Sequence, residues 1–315
     1  MQTNIQQQAE QFRHDFQALQ TEIANVIVGY EEIVQYILVA LFVGGHVLLE
    51  GLPGLGKTKM ARTLAQVLHL KHARIQFTPD LMPSDILGTN IINEHHQFQF
   101  MPGPIFANLI LADEINRATP KTQSALLECM QEQSVTIANT TYKLTQPFFV
   151  IATQNPIEMQ GTYPLPEAQL DRFMFQLQIP YPTSEQLYKI LQQTTENIQV
   201  QPRITATQIL QHRKLIQQVI VAPPFYEQIV NIILSTHPNT KNANSLVKKY
   251  VQYGASPRAA QAFLLAAKTN ALLQGRYNIC QKDIEHYILP TLRHRIIFNF
   301  QGEAEQISPE TLFNN

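Results

Sequence analysis

Hydrophobic and polar positions in the first half of the chain form two alternating kinds of pattern. Short apolar runs, which are typical of buried strands, occur at residues 46–50, 74–77, 109–112 and 148–152. Between them, residues 31–43 and 57–68 carry apolar positions at the spacings of three and four that favour helices. Strands that alternate with helices predict an α/β fold whose mostly parallel sheet is covered on both faces.

Three further segments of this half have patterns of their own. Residues 1–24 predict a polar amphipathic helix whose apolar stripe is Phe12, Phe16, Leu19 and Ile23. Residues 134–144 alternate as a β-hairpin does, with the turn expected at residues 138–141. A second hairpin or loop insertion is predicted within residues 89–104.

The second half of the chain reads as helical from the proline-containing linker at residues 179–182 to about residue 300. Thr183 or Ser184 is expected to cap the first of these helices. The predicted helices cover residues 185–194, 205–221, 224–236, 256–273 and 281–289. The chain should therefore divide into an N-terminal helix (1–24), an α/β domain (25–180), an all-α domain (181–300) and a loosely ordered polar C-terminal tail (301–315).

Composition narrows the class of protein. The 315 residues are 44% hydrophobic and 15% charged, with a formal net charge of −1 at pH 7. This apolar fraction excludes a wholly disordered chain. A charge so close to zero makes nucleic acid an unlikely partner.

Three sequence features bear on location. Cys129 and Cys280 show neither the spacing of a disulfide framework nor that of a CxxC metal site, so we interpret them as reduced thiols. The first 20 residues lack the pattern of a secretory signal. The apolar stretch at residues 33–49 is too short and too interrupted for a membrane span. We expect a cytoplasmic protein.

The strongest chemical signal is a phosphate-binding loop of the form G-x-x-x-x-G-K-[ST] between an apolar run and a helical pattern. Its residues are Gly51, Leu52, Pro53, Gly54, Leu55, Gly56, Lys57 and Thr58, and Lys59 follows. The glycines let backbone N–H groups curl around phosphate oxygens, and the next helix directs its N-terminus at the anion. Lys57 would reach the β- and γ-phosphates, and Thr58 would hold Mg²⁺.

Polar residues end two further strands. Asp113 is expected to bind Mg²⁺ and Glu114 to polarise the attacking water as general base. The alternative is a solvated acidic turn. Asn155 follows the strand at residues 148–152 and is the candidate for orienting water and contacting the γ-phosphate; the alternative there is an Asn-Pro turn.

Two arginines complete the candidate chemistry. Arg258 follows Ser256 and Pro257 at the predicted start of a helix, from which it could touch the nucleotide. Arg172 follows a short predicted helix and could reach the γ-phosphate of a neighbouring subunit. Taken alone, each arginine fits a surface salt bridge better than a role at the nucleotide.

These motifs together resemble the MoxR family of AAA+ ATPases, over roughly residues 20–300. The most specific stretches are FTPDLMPSDILG at residues 77–88 and DEINRATPKTQSALLE at residues 113–128. The resemblance extends to residues 28–30, 51–58, 152–156, 165–173, 254–259 and 292–296. It implies a P-loop AAA+ αβα core followed by a smaller all-α lid domain, with ATP and Mg²⁺ as cofactors.

The resemblance also assigns roles. Val28 and Gly29 would line the adenine pocket, Asn155 would be sensor 1, Arg172 an arginine finger acting in trans, and Arg258 sensor 2 on the lid. Arg117 would be a second arginine at the subunit interface. Residues 89–101 and 134–144 would be the family's inserts.

At the level of the whole molecule, the resemblance implies a homo-oligomer, usually a hexameric ring, and chaperone-like remodelling or maturation of a client protein. A partner carrying a von Willebrand A domain is also implied. Two alternatives stay open: an AAA+ motor subunit of another kind, metal-chelatase-like or nucleic-acid-linked, and a non-catalytic nucleotide-binding scaffold. The scaffold would need a broken hydrolysis motif, and none is visible in the sequence.

Overall fold

The computed structural model describes residues 2–94, 96–156, 161–193 and 198–313. The helices of its first part are α1 (Gln2–Ala24), α2 (Glu31–Val43), α3 (Lys57–Val67), α4 (Pro83–Leu87), α5 (Pro120–Glu132), α6 (Glu167–Leu170) and α7 (Ser184–Gln192). Those that follow are α8 (Ala206–Gln217), α9 (Pro223–Ser235), α10 (Ser245–Tyr250), α11 (Pro257–Leu273), α12 (Gln281–Glu285), α13 (Ile288–Leu292), α14 (Phe300–Ala304) and α15 (Pro309–Phe313). No helix of the described residues is long and apolar enough to cross a bilayer.

The strands are β1 (Val47–Glu50), β2 (His72–Gln76), β3 (Gly88–Ile92), β4 (Phe98–Pro102), β5 (Leu109–Asp113), β6 (Ser134–Ile137), β7 (Thr140–Lys143), β8 (Phe149–Gln154), β9 (Phe175–Gln178), β10 (Val251–Tyr253) and β11 (Ile297–Phe298). Five of them form the central sheet in the order β2-β5-β8-β1-β9. The pairs β2–β5, β5–β8 and β8–β1 are parallel. The predicted α/β fold with a mostly parallel sheet is confirmed.

The core of the sheet is made by the short apolar runs. Every residue of β5 and the first five residues of β8 are buried, as expected for strands covered on both faces. The apolar stripe of α1 is buried as well: Phe12, Phe16, Leu19 and Ile23 expose at most 2% of their surface. Long continuous burial of this kind is what the apolar patterns predicted.

Both predicted hairpins form. β3 pairs with β4, and β6 pairs with β7, each antiparallel. The turn of the second hairpin is tighter than predicted, because Ala138 and Asn139 both adopt positive φ (47° and 67°) in a two-residue connection. Phe100 of one hairpin stacks on Tyr142 of the other with ring centroids 4.2 Å apart.

The expectation of an all-α second half is wrong in detail. β10 and β11 form a small antiparallel sheet there. The helix predicted at residues 281–289 is two helices, since Pro290 lacks an N–H and would clash with the carbonyl of residue 286 in one continuous helix. Residues 301–315, expected to be a loosely ordered tail, contain most of α14 and all of α15, whose Leu312 is buried.

The chain forms two compact units. The sheet unit comprises residues 15–165 and 177–210, and the helical unit comprises residues 1–14, 166–176 and 211–315. Within the sheet unit, Phe16 of α1 lies against Phe42 of α2 with centroids 5.8 Å apart. Within the helical unit, Phe12 lies against His212 at 5.1 Å. The sequence-based division at residues 24, 180 and 300 is a different partition and stays a prediction.

Candidate functional site

The phosphate-loop motif lies between the end of β1 at Glu50 and the start of α3 at Lys57. Gly54 and Gly56 have φ of 84° and 80°, a region that favours glycine, and a Cβ at either position would meet no atom within 4 Å. The loop therefore borders open space. No side chain caps the N-terminus of α3, so its first N–H groups are available to an anion.

Lys57 is held inside this loop. Its side chain is buried, and its ammonium donates a hydrogen bond to the carbonyl of Gly51 at 2.7 Å. Thr58, the next residue of α3, is exposed. The loop thus combines an inward cation with an outward hydroxyl at the first turn of the helix.

Asp113 is the last residue of β5 and is buried. Its Oδ1 accepts a hydrogen bond from the Thr153 hydroxyl at 2.7 Å, and its Oδ2 accepts two from Arg74, at 2.8 and 3.1 Å. Sequence reasoning missed Arg74 and Thr153 as partners. The structure explains the contact with Arg74: β2 pairs with β5 so that Gln76 lies opposite Asp113, and Arg74 lies on the same face of β2 two residues earlier.

Glu114 follows at once and adopts a left-handed conformation with φ of 56°. Its N–H donates to the Thr153 hydroxyl at 2.8 Å, so one threonine bonds both acidic residues. Its Oε2 accepts from the Gln76 amide at 2.8 Å and pairs with Arg117 Nε at 3.1 Å. The carboxylate is therefore fixed by two donors on different elements.

The strand order places these groups at one edge of the sheet. β1, β8 and β5 are neighbours, and their carboxyl ends carry the phosphate loop, Asn155 and the Asp113–Glu114 pair, respectively. Asn155 is buried. Ligands of open α/β sheets bind outside the carboxyl ends of the strands, so this edge is the candidate nucleotide site.

A cleft of about 470 Å³ opens beside the phosphate loop within the sheet unit. One wall is Pro53–Gly56 with Lys59; the other is mainly apolar and is formed by Val26, Ile27, Val28, Tyr30, Tyr181, Pro182, Leu187 and Ile190. Val28, which the family resemblance assigns to the adenine pocket, lines this cleft; adenine binding there stays a prediction. Gly29 has a φ of 82°, a region that favours glycine, and a Cβ there would lie within 3 Å of the flexible Gln186 side chain of α7.

The two candidate arginines belong to the helical unit. Arg258 is the second residue of α11, and its Nη1 lies 3.4 Å from Asp171 Oδ2. Arg172 directly follows Asp171, and its buried Nε has no hydrogen-bond partner among the described residues. Their placement at the phosphates of a nucleotide stays a prediction.

The donor set suits a magnesium ion that is bound mainly through phosphate. Within the described residues, no group of three or more His, Cys, Asp or Glu side chains could hold a metal ion by itself. Mg²⁺ in nucleotide sites needs only one or two protein oxygens beside the phosphates and water. The Thr58 hydroxyl and the Asp113 carboxylate, at the start of α3 and the end of β5, match that requirement, and their role as ligands stays a prediction.

Comparison with known proteins supports this interpretation. Residues 46–175 match the family described as "ATPase family associated with various cellular activities (AAA)", and residues 243–314 match the AAA lid domain. Chaperone MoxR1 of Mycobacterium tuberculosis is 41% identical over 295 residues, which cover 93% of this chain and 78% of that protein. Protein MoxR of Methylorubrum extorquens is 28% identical over 312 residues, 92% of this chain and 90% of that protein.

A solved structure gives the same picture. The crystal structure of a protein from Cytophaga hutchinsonii matches with a TM-score of 0.93 at 40% sequence identity. The match covers 99% of this chain and 96% of that one. At this identity and coverage the α/β core and the helical lid are shared over the whole length.

Proposed function

Because this chain belongs to the MoxR family of AAA+ ATPases, we propose that it hydrolyses ATP to ADP and phosphate and uses the cycle to remodel or mature a partner protein. The observation that carries the proposal is the meeting of three strand ends at one sheet edge. The phosphate loop, Asn155 and the Asp113–Glu114 pair follow neighbouring strands there. Each supplies one group that phosphoryl transfer requires.

Binding of ATP starts at the phosphate loop. The left-handed glycines Gly54 and Gly56 expose backbone N–H groups, and the uncapped start of α3 adds its own positive end. Lys57 exchanges its bond to the Gly51 carbonyl for the β- and γ-phosphates. The adenine occupies the apolar cleft against Val28, with Gly29 at its margin.

The metal site uses Thr58 and Asp113. When Mg²⁺ is bound, it neutralises charge on the β- and γ-phosphates. Thr153 donates to one oxygen of Asp113 and so fixes the direction of the carboxylate. Arg74 donates to the other oxygen, so this buried carboxylate has a cationic partner.

Glu114 is the general base. Its carboxylate accepts from Gln76 and pairs with Arg117, and these donors fix where the carboxylate points. Asn155, at the end of the adjacent strand, orients the attacking water. A base that is held in this way removes the proton of water only where the geometry is correct.

We place the complete site between subunits of a hexameric ring. Arg172 of one subunit stabilises the γ-phosphate held by its neighbour, and Arg258 contacts the nucleotide of its own subunit. The relative named Chaperone MoxR1 supports a remodelling role. A protein carrying a von Willebrand A domain is the partner class we propose, in the cytoplasm.

The substitution Glu114→Gln tests hydrolysis directly. It keeps the size of the side chain and removes the base, so ATP should still bind while turnover falls by roughly 10²- to 10⁴-fold. Phosphate release and binding of a fluorescent ATP analogue measure the two properties. Glu128→Gln, on an exposed position of α5, is the matched control and should change neither. Turnover of the Glu114→Gln protein at the wild-type rate would show that Glu114 is not the general base.

A further inference from the structure

Asp171 is the common acceptor of an ionic cluster within the helical unit. It lies at the C-terminal end of α6, directly before Arg172. Its carboxylate accepts from the Ser256 hydroxyl at 2.8 and 2.9 Å and from Arg295 Nε at 2.8 Å. Arg258 Nη1 lies 3.4 Å from the same carboxylate. One side chain therefore touches the start of α11, the Arg258 guanidinium and the buried Arg295.

Arg295 is the fixed member of this cluster. Its side chain is only 2% exposed. Besides the Asp171 carboxylate it donates to the backbone carbonyls of Asp171, Phe173, Met174 and Thr291. A buried guanidinium with this many acceptors is held firmly, because each bond offsets part of its desolvation. The bonds to Asp171 and Phe173 lie on either side of Arg172 and fix the backbone that carries it.

Arg258 is the movable member. Its side chain is 44% exposed, and its contact with Asp171 is long for a hydrogen bond. Exposed ion pairs of this kind contribute little stability. The contact with Asp171 itself therefore costs little to exchange for a phosphate oxygen.

The candidate finger depends on the same cluster for its direction. Arg172 Nε is buried and has no hydrogen-bond partner among the described residues. No hydrogen bond fixes Arg172 at Nε, so the direction of the side chain depends on the backbone of residues 171–173, to which Arg295 donates at Asp171 and Phe173. A change at Asp171 is transmitted to Arg172 through one peptide unit.

We propose that Asp171 is a positioning residue that couples the nucleotide contact of Arg258 to the arginine finger Arg172. This inference rests on the proposed function. When Arg258 binds the ATP of its own subunit, Asp171 loses one cationic partner and keeps Ser256 and Arg295. Residues 171–173, which carry Arg172, are then held by Arg295. The finger offered to the neighbouring subunit thereby reports whether its own subunit holds ATP.

The variant Asp171→Asn tests the coupling, because it keeps the shape of the side chain and removes its charge. Arg258 is then released toward ATP, so ATP should bind roughly two- to fivefold more tightly, the range that an exposed ion pair allows. Residues 171–173 lose an anchor, so kcat should fall about tenfold or more. Tighter ATP binding together with slower turnover is a combination that a merely structural role of Asp171 would not produce.

The double variant Asp171→Asn/Arg258→Ala separates coupling from a general field effect. In the Arg258→Ala background, Asp171→Asn should leave ATP affinity unchanged, because the released cation is absent. Glu310→Gln, which removes a different carboxylate–arginine pair of the same unit, is the matched control and should not show this combination. A gain in affinity that persists without Arg258, or no gain in the wild-type background, would overturn the coupling.

Two further outcomes are distinguishable. If thermal unfolding shows that Asp171→Asn does not fold, Ser256→Ala is the second variant. It removes the hydroxyl that donates to Asp171 and that also accepts the Arg258 N–H at the start of α11. Unchanged kcat and ATP affinity in Ser256→Ala would overturn the proposal. If the wild-type protein binds ATP without turnover, the proposed hydrolysis fails, while the affinity comparison still decides the coupling. Absence of ATP binding would refute both.

Discussion

At the scale of single residues, Thr153 links the two acidic groups of the candidate site. Its hydroxyl donates to Asp113 Oδ1 at 2.7 Å and accepts the N–H of Glu114 at 2.8 Å. Thr153 is fully buried, so these bonds do not compete with bulk water. The same hydroxyl therefore sets the direction of a proposed metal ligand and the backbone of a proposed base.

The substitution Thr153→Val should cost both stability and turnover. Valine fills the same volume but leaves the Glu114 N–H and an Asp113 oxygen without their partner, which costs about 1–3 kcal/mol of unfolding free energy. ATP turnover should fall because both acidic groups lose their alignment. Denaturant unfolding and phosphate release measure the two effects.

The control for this change is Thr269→Val, at a buried threonine whose hydroxyl bonds the Leu265 carbonyl of its own helix. It should lower stability with turnover unchanged. If Thr153→Val, like Thr269→Val, left ATP turnover unchanged, the Thr153 hydroxyl would have no part in positioning the acidic groups.

The sequence predicted site residues where a motif has fixed spacing. Lys57 begins α3 after the phosphate loop, Asp113 ends β5 and Glu114 follows it, as those motifs require. Their partners Arg74 and Thr153 come from neighbouring strands. Which strands are neighbours depends on sheet order, and no spacing along the chain records that order.

At the scale of elements, the segment that carries Arg117 is held by one buried amide. Gln123 of α5 is fully buried, and its Nε2 donates to the carbonyls of Ile115, Ala118 and Tyr163 at 3.2, 3.1 and 2.9 Å. Buried carbonyls of an irregular segment need such donors. The helix thus fixes the turn that follows the acidic pair.

Gln123→Leu should release this turn. Leucine fits the buried volume but leaves backbone carbonyls without their hydrogen-bond donor. We therefore expect a loss of about 1–3 kcal/mol in unfolding free energy. Turnover should fall as well, because Arg117 no longer holds Glu114 in place. Denaturant unfolding checks the first effect and phosphate release the second.

Gln131→Leu changes the same residue type at an exposed position of the same helix and serves as the control. Its effect on stability should stay within about 0.5 kcal/mol. Equal effects of the two substitutions would show that the hydrogen bonds donated by the Gln123 side chain do not stabilise the fold.

Long periodic elements were predictable and short ones were not. The helix predicted at residues 31–43 has those bounds in the structure, since nine of its thirteen residues are buried and mark a clear pattern. β10 and β11 have only three and two residues. Strands this short show too little alternation to be recognised, and their existence depends on neighbours that are distant in sequence.

At the scale of the whole molecule, the proposed machinery is divided between the two compact units. The phosphate loop, Asp113 and Glu114 lie in the sheet unit, whereas Arg172 and Arg258 lie in the helical unit. Residues 166–176 join the helical unit although they are flanked in sequence by the sheet unit, which no pattern along the chain predicted. The proposed hydrolysis therefore draws its residues from both units.

The central claim is that the active site is completed by a neighbouring subunit, and a mixing experiment tests it most directly. Arg172→Ala protein keeps its base and lacks the finger, while Glu114→Gln protein keeps the finger and lacks the base. Each alone should be nearly inactive. After the two are unfolded together and refolded, roughly a quarter of ring interfaces should pair an intact base with an intact finger. We predict that ATP turnover returns in the mixture; if it stays at the level of the separate variants while mixed rings form, Arg172 does not act across the subunit interface.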